Sequence, residues 1–291
     1  MARATALIVV SALSFGSISV LTVLTTGAGV PLLTVMAWRY VLGAFLLVSA
    51  SRATVVRSVS RRQIIHLLLI GGVGQALITY LSLYSLRYIP VGPLAFLFYT
   101  YPAWVAAIAA VRGTERLTLV RATALVLALI GVTVMVGAPV EKLNPIGVAL
   151  ALGSALLYSI YLPALEYAQE GVPAMFATFL LILGAAVTFV IAALLARELF
   201  TPREPSVWVN IVLLAVVSTV IAFSALIKGL SVLGPVRTAI IATVEPFFTA
   251  ILGVLVLGNQ LGGATLVGGV LIASAILIIE WSSTRKLAVT V

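Results

Sequence analysis

The stretch VLGPVRTAIIATVEPFFTAILGVLVLGNQL, residues 232–261, decides the fold, because an apolar run long enough to cross a bilayer carries Val-Glu-Pro at its centre. A matching run in the first half of the chain carries Thr-Tyr-Pro at 100–102. Around these two triplets, residues 71–136 align with residues 215–280 without a gap. Only eight of the 66 aligned positions are identical, so shared landmarks rather than sequence identity indicate an internal repeat.

Two further landmarks recur at nearly the same offset. Pro31 aligns with Pro173, and SALSFGSI at 11–18 aligns with SALLYSIY at 154–161. The sequence therefore predicts two repeats, residues 1–140 and residues 141–291, the second of which ends in a short tail.

The composition indicates a membrane protein. The chain is 63% hydrophobic and 9% charged, whereas soluble domains carry about 25% charged residues. A spanning helix needs roughly 20 apolar residues. Ten such runs are predicted, at 4–26, 31–51, 64–87, 92–112, 118–137, 145–168, 173–196, 207–231, 236–257 and 262–281.

Ten runs give five spans in each half, and this odd number has a consequence. The second five must cross the membrane in the opposite sense to the first five, which is an arrangement typical of transporters. We therefore expect an all-α integral membrane protein, with ten transmembrane helices forming two inverted five-helix repeats around a central cavity.

The distribution of Lys and Arg predicts the orientation. If the N-terminus is cytoplasmic, twelve of these residues fall on the cytoplasmic side, four on the other side, and Arg39 lies inside a span. This bias places both termini in the cytoplasm. The same bias explains the net charge of +9 without nucleic-acid binding, which is not expected.

Several kinds of chemistry are disfavoured by residue usage. The chain has no cysteine and a single histidine, His66, so disulfides, thiolate metal sites and a Ser-His-Asp triad are not expected. Glycine-rich segments such as GGVG at 71–74 lack the strand, helix and lysine of a phosphate-binding loop, and indicate close helix packing instead. No cofactor, metal or ATP hydrolysis is predicted, and transport would be driven by a gradient.

The chain resembles a known family, the drug/metabolite transporter superfamily, and within it the ten-helix EamA-type exporters. The resemblance rests on AWRY at 37–40, on YIPVGPLAFLFYTYP at 88–102 and on residues 232–261. It implies a secondary carrier, monomeric or a weak homodimer, in the plasma (inner) membrane. It also implies that spans 3, 4, 8 and 9 line a central cavity, that spans 1, 2, 6 and 7 rock around it, and that spans 5 and 10 are peripheral.

One position departs from the family pattern. Asn259-Gln260 stands where the family usually has a glutamate after Gly258, and Glu115 keeps that acid in the first half only. The aromatic content most resembles the branch that exports aromatic amino acids, called YddG.

Proline marks the predicted hinges. Pro102 and Pro246 lie about ten residues into spans 4 and 9, near the midplane, and Pro163 lies late in span 6. A proline within a helix removes one backbone hydrogen bond and bends the helix. These bends either open backbone groups to a substrate or serve packing alone, and the sequence leaves both alternatives open.

Three charged residues lie within predicted spans. Glu245 is expected to face a cavity, where it binds a substrate ammonium group or a coupling proton, or else to pair with Lys228 or Arg237. Lys228 either reaches the membrane surface or contacts the substrate carboxylate as part of a gate. Arg39 is expected to be a hydrogen-bonded structural arginine between spans, with anion binding as the alternative.

Aromatic residues complete the predicted substrate site. Tyr80 and Tyr84 share one face of span 3, and Gln75 and Thr79 add polar groups nearby. The remaining predicted substrate-binding aromatic residues are Tyr99, Tyr101, Tyr158 and Trp38. Because a phenol deep in a membrane needs a hydrogen-bond partner or water, these rings predict a cavity suited to an aromatic or amphiphilic molecule.

The sequence therefore predicts a transporter rather than an enzyme, one that exports small metabolites, most of all aromatic or neutral amino acids, by alternating access. Two alternatives remain within transport: broad efflux of cationic drugs, and transport of nucleotide sugars or phosphates. An alternative of another class is a membrane-embedded enzyme acting on lipids, for which no catalytic cluster is present. The predicted partners are the small-molecule substrate and the lipid bilayer.

Overall fold

The computed structural model describes residues 1–52, 59–114, 118–136, 143–258 and 262–289. Every regular element in these ranges is a helix. The helices of the first half are α1 (Ala2–Gly27), α2 (Leu32–Arg52), α3 (Arg61–Leu69), α4 (Ala76–Ser85), α5 (Val91–Phe98), α6 (Tyr101–Val111) and α7 (Leu119–Val136). Those of the second half are α8 (Pro145–Ala168), α9 (Ala174–Leu195), α10 (Pro205–Ala215), α11 (Ala222–Leu233), α12 (Pro235–Ala242), α13 (Glu245–Leu257) and α14 (Gly263–Val289).

Both halves contain the same order of elements. In each half the third span is interrupted by one turn of π-helix: the first π segment (Ile70–Gln75) joins α3 to α4, and the second (Val216–Ile221) joins α10 to α11. In each half the fourth span is broken by two residues, Tyr99–Thr100 between α5 and α6 and Thr243–Val244 between α12 and α13. The landmarks found in the sequence thus mark equivalent interruptions in the two halves.

Seven helical segments are long and apolar enough to cross a membrane within the described ranges. They are Ala2–Gly27, Arg61–Ser85, Pro93–Val111, Pro145–Ala168, Ala174–Leu195, Pro205–Leu233 and Pro235–Val256. Three shorter apolar helices, Leu32–Val48, Leu119–Val134 and Gly263–Ile279, lie where spans 2, 5 and 10 are predicted.

The first helix of each half packs against helices of the other half. α1 packs against α11 and α13 of the second half, and α8 packs in the equivalent way against α4 and α6 of the first half. α2 packs along α9, and α7 packs along α14. This reciprocal packing surrounds a central space with helices from both halves, and leaves the pair α7–α14 at the side.

The prediction that the GGVG segment serves close packing is confirmed at the first π segment. A methyl group added at Gly71 would overlap the backbone of Leu181 in α9, and one added at Gly184 would overlap the carbonyl of Leu68. The backbones of α3 and α9 therefore meet with no room for a side chain between them, as small residues permit in membrane helix pairs.

We expect Gly184→Ala to lower the free energy of unfolding by about 1–3 kcal/mol, the usual cost of overpacking. Gly153→Ala is the matched control, because a methyl group at Gly153 in α8 meets no atom within 4 Å. Thermal unfolding in detergent measures both, and Gly153→Ala should leave the midpoint unchanged or raise it. Equal midpoints for the two variants would contradict the tight contact.

Two features of the predicted pattern lie outside the described residues. They are Glu115 and the Asn259-Gln260 pair that departs from the family pattern.

A central cavity as the candidate substrate site

A cavity of about 130 Å³ lies between the two halves. Helices α1, α4, α5, α11 and α13 form its walls, with single residues of α6, α8 and α12. The polar and aromatic residues that line it are Ser11, Phe15, Ser19, Gln75, Thr79, Ser82, Phe98, Tyr99, Tyr101, Tyr158, Phe223, Glu245 and Thr249. The family resemblance implies lining by spans 3, 4, 8 and 9, and the structure adds one face of α1 to these.

The rings form a continuous cluster at one end of the cavity. The rings of Tyr101 and Tyr158 meet edge to face with their centroids 4.7 Å apart, and Phe98 lies 5.4–5.6 Å from Tyr99, Tyr101 and Tyr158. Tyr161 stacks behind Tyr158 at 5.7 Å. Each such pair contributes about 0.5–1.5 kcal/mol beyond area burial, so the cluster is a rigid aromatic wall.

Glu245 begins α13 directly after the break in span 9, and its half-buried side chain lines the cavity. Its carboxyl group is hydrogen-bonded by the Tyr99 side chain. The break in span 4 positions Tyr99, since α5 ends at Phe98 and α6 begins at Tyr101. The interruptions of both halves thus bring an acid and a phenol together.

Close contact between α1 and α13 fixes this part of the cavity. The Thr249 hydroxyl donates to the carbonyl of Gly16 at 3.0 Å and lies 3.1 Å from the carbonyl of Glu245. A methyl group at Gly16 would come within 3.2 Å of the Glu245 carbonyl. The backbone of α1 therefore lies directly against the turn that carries the acid.

Three predicted site residues line the cavity with Glu245, namely Tyr99, Tyr101 and Tyr158, and the other four lie elsewhere. Tyr80 and Tyr84 stack on each other with centroids 5.2 Å apart, in a row that continues to Tyr88 and to Arg87, whose guanidinium lies 4.8 Å from the Tyr84 ring. Tyr80 and Tyr84 are on α4 but do not line the cavity as Thr79 does, and Arg87 and Tyr88 follow the end of α4.

Trp38 and Lys228 also lie away from the cavity. The indole N–H of Trp38 donates to the carbonyl of Phe200 at 2.9 Å, and its ring contacts Trp208 at 5.1 Å, so Trp38 holds the connection between α9 and α10. Lys228 is exposed on α11, next to the buried Ile227 and Gly229. This placement fits the alternative in which Lys228 reaches the membrane surface.

Arg39 is 1% exposed and lies between α2 and the second π segment. Its Nε donates to the Thr219 hydroxyl at 2.7 Å, and one terminal nitrogen donates to the carbonyl of Ser218 at 2.9 Å. The guanidinium also lies 4.9 Å from the Tyr40 ring. The prediction of a hydrogen-bonded structural arginine between spans is confirmed.

The three predicted hinge prolines occupy different positions in their helices. Pro102 and Pro246 lie in the first turns of α6 and α13, where a missing N–H costs nothing, so they follow breaks rather than bend continuous helices. Pro246 lines the cavity, whereas Pro102 is buried and does not line it. Pro163 lies inside α8, five residues beyond Tyr158.

Sequence reasoning missed six polar or aromatic lining residues of the cavity, namely Ser11, Ser19, Ser82, Phe98, Phe223 and Thr249. Phe98 is the last residue of α5 before the break in span 4, so no helical period across the break could have placed it in the ring cluster. Ser11, Phe15 and Ser19 recur every fourth residue along α1 and share one face. A polar stripe of this kind on an apolar helix was the available signal.

Among the described residues no group of three or more His, Cys, Asp or Glu side chains could hold a metal ion. The described lining therefore consists of an acid, hydroxyls, one amide and rings around a cavity within a bundle of apolar helices. Such a lining can accommodate a small molecule, and the bundle is that of a multi-pass membrane protein.

Comparison with known proteins gives the family. The EamA-like transporter family matches residues 2–137 and again residues 145–281. The chain therefore belongs to the EamA-like transporter family and is a membrane transporter of small molecules. The expected resemblance to the drug/metabolite transporter superfamily is confirmed, and the two matches confirm that the sequence contains the family unit twice.

Solved structures agree on the fold. One crystal structure superposes with a TM-score of 0.80 over 98% of this chain and 99% of the other, at 21% sequence identity. Identity at this level supports the fold alone. No curated protein matches the chain at a significant level.

Proposed function

We propose that this protein is a secondary transporter that exports small amine-bearing amphiphilic metabolites, aromatic or neutral amino acids among them, by alternating access around the central cavity. Its ten spans would form two inverted five-helix repeats, residues 1–140 and 141–291. Both termini would lie in the cytoplasm, and the protein would act in the plasma (inner) membrane as a monomer or weak homodimer.

The observation that carries this proposal is the combination of Glu245 with the ring cluster. An ionisable group within a membrane costs about 3 kcal/mol on insertion scales, so it is retained where it binds something. Among the described residues that line the cavity, Glu245 is the one charged group. A substrate ammonium would bind there, while an aromatic or apolar side chain would pack against Phe98, Tyr101 and Tyr158.

A second candidate, export of cationic amines, is favoured by the same lining. It contains an acid and, in the described ranges, no Lys or Arg. Transport of nucleotide sugars or phosphates would need several cations. Arg39 is engaged by the second π segment, and Lys228 is exposed on α11, so neither supports that alternative.

The mechanism we propose is a rocking of the two halves around the cavity. α1 and α8 each cross into the opposite half, so a movement of either helix changes both walls of the cavity. The breaks before Pro102 and Pro246 lie at the cavity and supply the points at which α5 and α12 can tilt relative to α6 and α13.

A ligand panel tests the proposed function. A compound that binds only the folded state raises the apparent stability, so thermal unfolding of the purified protein should shift upward with aromatic amines or amino acids and not with sugar phosphates. Labelled flux into proteoliposomes should follow the same ranking. Stabilisation by sugar phosphates alone would contradict the proposal.

A further inference from the structure

Two residues that line the cavity each carry a buried polar atom with no hydrogen-bond partner among the described residues. These atoms are the Ser11 hydroxyl oxygen on α1 and the Gln75 side-chain carbonyl oxygen. Ser11 is 1% exposed. Buried polar groups are almost always paired, and each exception requires an explanation such as a bound water or ligand. Because both residues line one cavity, a ligand held there can offer hydrogen-bonding groups to both.

The first π segment explains why Gln75 reaches the cavity. Gln75 is the last residue of this segment, and its amide nitrogen donates to the Thr79 hydroxyl one turn later at 2.9 Å. One extra residue in a helix rotates the side chains beyond it by about 100°, and such bulges occur frequently at functional sites. The amide is therefore anchored at its nitrogen while its oxygen stays available.

The equivalent segment in the second half shows the contrast. There the Ser218 hydroxyl pairs with the Ser17 hydroxyl at 2.7 Å, while Arg39 binds the Ser218 carbonyl and the Thr219 hydroxyl. Its polar groups are satisfied by the protein itself. The first π segment therefore differs from the second, because its Gln75 carbonyl oxygen is left to pair with a ligand.

We propose that Ser11 and Gln75 form a subsite for an uncharged hydrogen-bonding group of the substrate, a hydroxyl or a carboxamide. This inference rests on the proposed function, in which the substrate amine binds Glu245. A hydroxyl or carboxamide both donates and accepts, so it can donate to the Gln75 oxygen and pair with the Ser11 hydroxyl.

A carboxylate suits this subsite less well. It only accepts hydrogen bonds, which would leave the Gln75 oxygen unpaired. No Lys or Arg among the described lining residues would neutralise it, and Glu245 in the same cavity would repel it. The substrate class indicated is therefore aromatic amino alcohols and amino-acid amides, in preference to the free amino acids.

Four ligands that share one ring and one amine test the subsite: phenethylamine, phenylalaninol, phenylalaninamide and phenylalanine. Affinities for the purified full-length protein are measured by thermal shift titration. A net hydrogen bond changes affinity by about three- to tenfold, so phenylalaninol and phenylalaninamide should bind tighter than phenethylamine by about that factor. Phenylalanine should bind no tighter than phenethylamine.

Ser11→Ala and Gln75→Met should each lower the ratio of phenylalaninol affinity to phenethylamine affinity toward one. A cooperative thermal transition without ligand shows that each variant is folded. Ser231→Ala is the control, because the Ser231 hydroxyl is exposed and bonds within its own helix to the Lys228 carbonyl. Since the Ser11 hydroxyl has no partner, Ser11→Ala should not lower the unfolding temperature.

The outcomes separate the two proposals. If phenethylamine binds in a way that depends on Glu245 but wild-type protein shows no preference for phenylalaninol, the subsite is overturned and the proposed function stands. The subsite is likewise overturned if Ser11→Ala and Gln75→Met both keep the full preference for phenylalaninol over phenethylamine. If none of the four ligands binds, the proposed function fails and the subsite fails with it.

Discussion

Glu245→Gln should reduce transport of amine-bearing substrates by about tenfold or more, since a hydrogen bond to a charged group contributes about 1.5–3 kcal/mol. Glutamine keeps the size and the hydrogen bonding of the side chain, so its interaction with Tyr99 can persist. The substitution therefore removes the charge and leaves the cavity shape. Flux of a labelled aromatic amine into proteoliposomes, measured across a pH series, gives the result.

Glu204→Gln is the matched control for this experiment. Glu204 is exposed in the connection before α10 and makes no capping hydrogen bond, so the same chemical change there should leave flux within error of wild type. Unchanged flux in Glu245→Gln at every pH would exclude Glu245 both as the site for the ammonium group and as the site for a coupling proton. Loss of flux at one end of the pH series alone would assign it the proton.

The fold could be read from the sequence because its signals are periodic and local. Apolar runs of fixed length, prolines at breaks, and the triplets Thr-Tyr-Pro and Val-Glu-Pro locate the helices and their repeat. The π segments could not be read in this way. A single inserted residue leaves the apolar pattern of a buried span intact, so nothing near Gln75 or Ser218 distinguishes a π turn from an ordinary helical turn.

The candidate site was predicted only in part, because the sequence does not show which face of each helix turns toward the cavity. Glu245 and Tyr99 stand beside prolines, and a proline break in a span is visible in sequence. Tyr80 and Tyr84 were assigned because they share one face of span 3, and that spacing does not say which face of α4 turns inward. That face is set by the π segment, which turns Gln75 and Thr79 toward the cavity and the tyrosine pair away from it.

Arg39→Leu is expected to lower the free energy of unfolding by about 3 kcal/mol or more, because two hydrogen bonds to a charged donor are lost and each contributes about 1.5–3 kcal/mol. The Ser218 carbonyl would lose its side-chain donor, whereas the Thr219 hydroxyl would keep its bond to the Leu214 carbonyl. Thermal unfolding in detergent measures the loss. Arg203→Leu, at an exposed position between α9 and α10, should leave the midpoint unchanged.

Leucine is an informative replacement because the first half of the protein has a leucine at the related place. When Pro31 is aligned with Pro173, Arg39 falls on Leu181, whose backbone packs directly onto Gly71 in the first π segment. The second π segment (Val216–Ile221) contains no glycine, so a leucine at position 39 cannot draw the helices together in the same way. Equal unfolding midpoints for Arg39→Leu and Arg203→Leu would show that the second π segment holds its shape without the arginine. A large loss would show that one half closes its π segment by backbone contact and the other by a buried guanidinium.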